Sequence, residues 1–190
     1  MTTTQILDSI QQAYNKYTLL PNVSYNIATY LMDNDEFIWK LLKYDTNDAW
    51  APSKADLTKS EKGALIYKGV GDPTTFRLFF DAGMDGAWTI ATTILRISPV
   101  ILIPKNYVTG VQSIRFEVYS HATLNMLSNY NPRNLSIIQR LIEVLNGADI
   151  EGIGRIFFDY KISSYCRMAG INVGSATYKG YELIMCNQNF

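Results

Sequence analysis

The most regular pattern in the chain lies at residues 112–120, which read Gln112-Ser113-Ile114-Arg115-Phe116-Glu117-Val118-Tyr119-Ser120. Apolar side chains take every second position, namely Ile114, Phe116 and Val118. Polar or amphipathic side chains take the positions between them, namely Arg115, Glu117 and Tyr119. A period of two places the two sets on opposite faces of an extended chain, so it predicts an antiparallel strand with one buried and one solvated face.

A helix follows this strand along the chain. Asn131 and Pro132 suit the start of a helix, and Gly147 stands where a left-handed C-terminal cap belongs. Between them, apolar residues recur at helical spacing, namely Leu135, Ile138, Leu141, Ile142 and Leu145. Residues 132–146 are therefore predicted to form an amphipathic helix whose apolar side packs on the sheet.

Further strands are predicted on both sides of this pair. Upstream, β-branched and aromatic residues concentrate in 74–81 and again in 92–98, and the glycines between them indicate a hairpin. Downstream, residues 155–163 and 178–188 are also strand candidates. The expected fold class is α+β, with a mixed or antiparallel sheet (strands in 74–98, 111–120, 155–163 and 178–188) packed against helix 132–146.

The first part of the chain has helical character. Residues 3–17 carry apolar side chains at helical spacing. Asp33 with Glu36, and Thr58 with Glu61, match the spacing of a capping box at the start of a helix. A helical N-terminal region is therefore expected before the sheet.

The domain organisation follows from the length and from the absence of a linker. The 190 residues are enough to bury one hydrophobic core without metal or disulfide support. No internal repeat or low-complexity tract divides them. We expect a single domain over 1–190, made of a helical region in 1–68 and a sheet with its helix in 69–190.

The charge and cysteine content narrow the class of protein. The 17 basic residues balance 17 acidic ones, so the chain lacks the positive field that drives non-specific binding to nucleic acid. Cys166 and Cys186 are too few for a disulfide scaffold, which favours synthesis in a reducing cytoplasm. The longest apolar run, 99–104, is far shorter than the roughly 20 residues of a membrane-spanning helix, so no membrane partner is expected.

Residues that could carry catalysis are scarce. The 1 histidine, His121, excludes a metal site built from two histidines. Asp81 and Asp85 flank a glycine turn, where short carboxylates stabilise the backbone more often than they act as acid and base. We therefore expect no enzyme activity and no cofactor. The rival hypothesis is a small ligand-binding domain or enzyme that uses Asp81, Asp85 and His121 in a pocket.

Aromatic residues favour a role in protein contacts. The 13 tyrosines and 3 tryptophans are amphipathic rings of the kind that concentrate where proteins meet. Segments 99–110 and 164–177 lie between predicted strands and are candidates to reach a neighbouring subunit; the second is either a loop or an arm. Strand addition between copies would also satisfy exposed sheet edges. The candidate interface residues are Ile101, Leu102, Ile103, Tyr107, Tyr165, Arg167 and Met168.

Residues 111–188 resemble the tail-terminator and neck proteins of tailed bacteriophages. The resemblance rests on four stretches, namely the alternating Ile114-Arg115-Phe116-Glu117-Val118, the helix Arg133–Asn146 with its Leu145-Asn146-Gly147 end, the run Gly152-Ile153-Gly154-Arg155-Ile156-Phe157-Phe158, and the closing Gly180-Tyr181-Glu182-Leu183-Ile184-Met185. Residues 36–45 are also similar to virion proteins encoded among phage neck genes. The helical residues before the sheet distinguish this chain from the compact terminator pattern.

The resemblance implies a structural virion protein of the neck or tail, made in the host cytoplasm. Such a protein forms a homo-oligomeric ring that caps the tail tube or joins it to the portal side, and DNA passes through without sequence recognition. A hexamer is favoured; a dodecamer would fit the alternative within this class, a portal-bound adaptor ring. The expected partners are further copies of the chain and neighbouring neck, portal or tail-tube proteins. A ring requires contacts between two different patches, with a rotation that closes.

Overall fold

The computed structural model describes residue 5 and residues 21–80, 84–105, 110–159, 164–173 and 176–188. Within these ranges the chain forms four α-helices and a seven-stranded sheet. The fold class is α+β with a helical N-terminal region, as the sequence predicts. The helix expected over 3–17 lies outside the described residues.

The four helices are α1 (Val23–Asn34), α2 (Phe37–Lys43), α3 (Lys59–Ala64) and α4 (Arg133–Leu145). Helix α4 confirms the amphipathic helix expected over 132–146, with Ile138, Leu141 and Leu145 buried. Leu135, expected on the buried side, is 40% exposed, and Ile137 is buried instead. Gly147 follows it with a φ of 87°, which is the left-handed conformation expected at a helix C-terminus.

The two capping boxes expected from the sequence have different outcomes. At α3 the box forms: the Thr58 side chain accepts from the Glu61 N–H, and the Glu61 carboxylate accepts from the Thr58 N–H. At α2 the expected pairing of Asp33 with Glu36 is wrong. The buried Asp35 carboxylate instead accepts the N–H in the first turn of α2, at 2.7 Å.

The seven strands are β1 (Leu78–Phe79), β2 (Thr93–Pro104), β3 (Gly110–His121), β4 (Asp149–Ile150), β5 (Gly154–Phe157), β6 (Tyr165–Val173) and β7 (Ala176–Gln188). Their order is β1-β2-β3-β7-β5-β4, and β6 also pairs with β7. Strands β5 and β6 both pair with the same side of β7. The last residues of β7 pair with β5, and the residues before them pair with β6. All pairs are antiparallel except β1 with β2.

The hairpin expected between 74–81 and 92–98 is wrong. Strand β1 lies parallel to β2, whereas a hairpin would make the pair antiparallel. Residues 84–89 form a 3₁₀ turn that buries Ala87 and Trp88 beside the sheet, so the chain crosses over this face before β2 begins. The apolar residues of this connection cover the sheet.

The connections expected at 99–110 and 164–177 are also corrected. Strand β2 continues to Pro104 through a bulge, and β3 begins at Gly110, so most of the first segment extends one long hairpin. The second segment is largely β6, the outer strand of a hairpin with β7. Strand β5 ends at Phe157, which is shorter than the strand expected over 155–163.

One face of the sheet, the inner face, packs against the helices. Its buried residues include Leu95, Ile97, Ile114, Phe116, Val118, Leu183 and Met185. Residues of α1, α2 and α4 belong to the same apolar cluster. The helical region and the sheet therefore share one hydrophobic core.

The opposite face, the outer face, carries a smaller aromatic cluster. It consists of Phe79, Ala87, Trp88, Ile94, Tyr119 and Tyr178. The Trp88 ring meets the rings of Tyr119 and Tyr178 edge to face, with centroids 5.3 Å and 4.7 Å away. This cluster buries the outer face at the end of the sheet where β2 begins.

Candidate functional site

Six of the seven candidate interface residues are described, and they lie on two separate strands. Ile101, Leu102 and Ile103 are in β2, and the remaining three are in β6 at 165–168. Strands β3 and β7 lie between β2 and β6, and the two groups are also offset by about five positions along the strands, so they are roughly 20 Å apart. Tyr107 lies outside the described residues. The candidates therefore form two surfaces, the β2 end (101–103) and the β6 edge (165–168).

The β2 end exposes apolar side chains. Ile101 is 54% exposed and Ile103 is 60% exposed, whereas Leu102 between them is partly buried against the core. A bulge between Pro99 and Ile101 shifts the register with β3. Ile101 and Ile103 therefore point away from the core, and Leu102 between them packs against the core on the opposite face of the strand.

The β6 edge exposes side chains on both faces of the sheet. Tyr165 and Arg167 point to the outer face, and Cys166 and Met168 point to the inner one, and all four are exposed. Met168 is the most exposed of them, at 74%. Strand β6 therefore extends beyond the parts of the sheet that the helices and the aromatic cluster cover.

The unpaired side of β2 presents two prolines. The Leu95 N–H donates to the Arg77 carbonyl, so the backbone groups of Leu95 face away from β3. The direction of the backbone N–H and C=O groups alternates along a strand, so the backbone of Pro99 also faces away from β3. After the bulge, Pro104 is opposite Gly110, and by the same alternation its backbone also faces away from β3. Both prolines thus withhold an N–H from the open side of β2, which blunts that edge against strand addition.

The open side of β6 presents a full set of backbone groups. The Ala122 N–H donates to the Thr177 carbonyl, so Thr177 faces β3 and the next residue, Tyr178, faces β6. Tyr178 is opposite Ile171, whose groups therefore face β7. The backbone N–H and C=O groups of alternate β6 residues therefore face away from β7, namely those of Cys166, Met168, Gly170 and Asn172. Among the described strands none pairs with this side.

An ion-pair network lies on the outer face beside the β6 edge. Glu182 on β7 accepts a hydrogen bond from the Tyr165 hydroxyl at 2.6 Å and pairs with Arg167 at 3.0 Å. Arg115 on β3 approaches the same carboxylate at 3.7 Å. The hydrogen bond to Glu182 raises the pKa of Tyr165. Sequence reasoning missed Glu182, although a single charge in the run 180–185 was the available signal.

The solvated face expected for β3 is wrong at Glu117 and Tyr119, which are both buried. Arg96 on β2 pairs with Glu117, and the Tyr119 hydroxyl donates to Glu117 at 3.2 Å. Burial, helped by the charge of Glu117, raises the pKa of Tyr119 to about 12. The alternation at 112–120 therefore separates an apolar face from a polar face that is also covered.

The residues of the rival hypothesis are not shown to form a site. Asp81 lies outside the described residues, and the side chain of Asp85 is not among the described ones. The His121 ring contacts Tyr178 edge to face at 5.3 Å, and its Nδ1 lies 2.7 Å from the Thr123 hydroxyl. These contacts give His121 a structural place at the end of β3.

A groove of about 520 Å³ lies between α1 and the turn before β5. It is lined by Asn26, Thr29, Tyr30, Asp33, Asn34, Ile150, Glu151 and Gly152. The Asn26 amide donates to the Glu151 carbonyl at 3.3 Å, which ties the two walls together. Within the described ranges, no cluster of three or more His, Cys, Asp or Glu side chains could hold a metal ion, and no helix is long and apolar enough to cross a membrane.

The sequence model of the YomW family matches residues 35–186. The chain belongs to the YomW family. The match begins just before α2 and ends in β7, so it includes the sheet and helices α2, α3 and α4, whereas α1 lies before it. The family is phage-derived, from the Bacillus phage SPbeta region, and this YomW-family chain is therefore a phage-related protein. Neither a curated protein nor a solved structure matches it.

Proposed function

We propose that this YomW-family chain is a structural protein of the phage virion that forms a homo-oligomeric ring at the neck or tail end. It would serve as a tail terminator or in head–tail joining, after synthesis in the host cytoplasm. In this role it uses neither a cofactor nor an active site. The observation that carries the proposal is the exposed apolar end of β2 on a phage-related chain.

The β2 end has the character of a contact surface. Burying a fully exposed isoleucine side chain is worth roughly 1.5–3 kcal/mol, and Ile101 and Ile103 are both more than half exposed. In a ring the β2 end of one copy meets a different patch on the next copy, so every copy uses both patches. The contact is made by side chains, because Pro99 and Pro104 disfavour backbone pairing at this edge.

The partners of such a ring are the neighbouring neck, portal or tail-tube proteins. DNA would pass through its channel without sequence recognition, which agrees with 17 basic residues balanced by 17 acidic ones. A hexamer is the favoured copy number. A dodecamer would instead support a portal-bound adaptor ring.

The test is to measure the mass of the assembled protein by native mass spectrometry. In the presence of tail-tube or portal proteins, the wild-type chain should form a ring of six copies. The double variant Ile101→Asp with Ile103→Asp should remain folded and lose the ring, because two buried carboxylates would be unpaired. Val70→Asp is the matched control, since Val70 is 75% exposed in the turn before β1 and is not part of the β2 end, and it should still assemble.

Two outcomes would contradict the proposal. The first is a wild-type chain that stays monomeric in the presence of every neck and tail protein. The second is a monomer whose melting temperature rises with a small molecule, which would favour a ligand-binding domain.

A further inference from the structure

The two unpaired sides of the sheet are protected to different degrees. Strand β2 presents two prolines on its open side. The segment 165–173 contains no proline, lysine or acidic residue, and all of its outward N–H and C=O groups are intact. Proteins usually block a long bare edge, because it pairs readily with another chain. Arg167 is the one charged residue of β6, and among the described residues no strand pairs with its open side, so this edge is expected to be covered.

We infer that the open side of β6 pairs antiparallel with β6 of a second copy, which gives the isolated chain a two-fold symmetric dimer. The two sheets then continue into each other across the contact. This contact uses the opposite side of the sheet from the β2 end, so it does not depend on ring formation. An isologous contact of this kind uses the same patch on both subunits.

One register satisfies the backbone best. If the two-fold axis passes at Ala169, Met168 is opposite Gly170 of the second copy and Cys166 is opposite Asn172. Every outward residue then exchanges two hydrogen bonds with the other copy, for about eight in total. An axis at Met168 leaves the groups of Asn172 unused. The register centred on Ala169 is therefore the expected one.

The charges of β6 are compatible with this pairing. Arg167 carries the only charge in 165–173, and it pairs with Glu182 of its own chain at 3.0 Å. In the register centred on Ala169 the two Arg167 residues are four positions apart along the strands, roughly 13 Å. The second copy therefore adds no unpaired charge and no close pair of arginines.

Disulfide cross-linking tests the register directly. Facing residues of a pair without direct hydrogen bonds have Cα atoms about 4.5 Å apart, which suits a disulfide. In a Cys166→Ser background, Ala169→Cys should therefore cross-link most chains into dimers under mild oxidation. Met168→Cys is the matched control and should cross-link at most about a tenth as fast, because Met168 faces Gly170 of the other copy. Equal rates, or no cross-linking of either variant, would overturn this register.

A second experiment blocks the edge itself. Met168→Pro removes an outward N–H, as Pro99 does in β2, and should leave the hairpin of β6 with β7 in place. Met168→Lys places a charge on the edge without changing the backbone. Each should raise the dimer dissociation constant at least about tenfold by analytical ultracentrifugation. Met126→Lys, at a different exposed methionine, should leave it unchanged. An unchanged constant for a folded Met168→Lys would overturn the inference.

The results separate this inference from the ring proposal. A hexamer or dodecamer in which the Ala169→Cys variant fails to cross-link would overturn the β6 pairing and leave the ring standing. A cross-linked dimer that forms no larger assembly with neck or tail proteins would support the β6 pairing and overturn the ring.

Discussion

The two faces of the sheet are covered by different kinds of interaction. The inner face packs Leu95, Phe116 and Leu183 against three helices in one large apolar core. The outer face carries the small aromatic cluster around Trp88, followed by ion pairs that lead out to β6. Apolar burial is the larger source of stability, because the desolvation of the buried carboxylates offsets much of the attraction within these ion pairs. The inner face should therefore dominate the stability of the fold, and the outer face should be the more adaptable one.

The largest expected effect is on the inner face. Phe116 is fully buried, so Phe116→Ala should lower the free energy of unfolding by about 3–5 kcal/mol. Urea denaturation at neutral pH measures it. Val70→Ala, at an exposed turn, should change the same quantity by about 0.5 kcal/mol or less. A loss below about 1 kcal/mol for Phe116→Ala would show that the inner face is not the main core.

A smaller effect is expected where the aromatic cluster lies closest to the backbone. A Cβ on Gly180 would stand 2.3 Å from Cδ1 of Tyr119 and 2.9 Å from the Val118 carbonyl oxygen. Gly180→Ala should therefore lower the unfolding free energy by about 1–3 kcal/mol, through displacement of the Tyr119 ring.

Helix α3 offers a matched control for this substitution. A Cβ on Gly63 meets no atom within 4 Å, so Gly63→Ala should stabilise the protein by up to about 1 kcal/mol. Thermal unfolding followed by circular dichroism compares the two variants. Equal melting temperatures would show that the Tyr119 ring moves aside at no cost.

The smallest effect concerns pH. The folded chain holds the Tyr119 proton up to a pKa of about 12, whereas the unfolded chain releases it near the ordinary value of 10.0. Between these values the folded state binds more protons, so stability should fall as the pH rises from about 10 to 12. Tyr119→Phe removes the part of this fall in stability that the Tyr119 hydroxyl causes. Urea unfolding at about pH 9 and pH 11 should therefore show a smaller decrease in the variant than in the wild type, and equal decreases would contradict the burial of this hydroxyl.

Local patterns predicted helices well where local bonds suffice. The Thr58–Glu61 box needs only residues of the same turn, and it forms. Asp33 and Glu36 have the same spacing, but distant groups bind them: Lys59 pairs with Asp33 at 2.7 Å, and Lys62 pairs with Glu36 at 2.7 Å. A spacing rule cannot anticipate partners that the tertiary fold supplies.

Strand β6 could not be predicted from its local sequence pattern either. Its sequence has no regular alternation because both of its faces are exposed at 165–168, so neither face selects apolar residues. Only pairing with β7 makes it a strand. Its open side, and the network at Glu182 beside it, were therefore beyond prediction from the pattern alone.

The amino-acid pattern was sufficient for the fold class, for the strand at 112–120 and for helix α4, because apolar residues recur at a strict period in the strand and in the helix. Tertiary structure was needed for the parallel placement of β1, for the course of β2 to Pro104 and for the burial of Glu117 and Tyr119. Periodicity records which side of a segment avoids water. It does not record which distant segment provides the cover, and that depends on the packing of the whole chain.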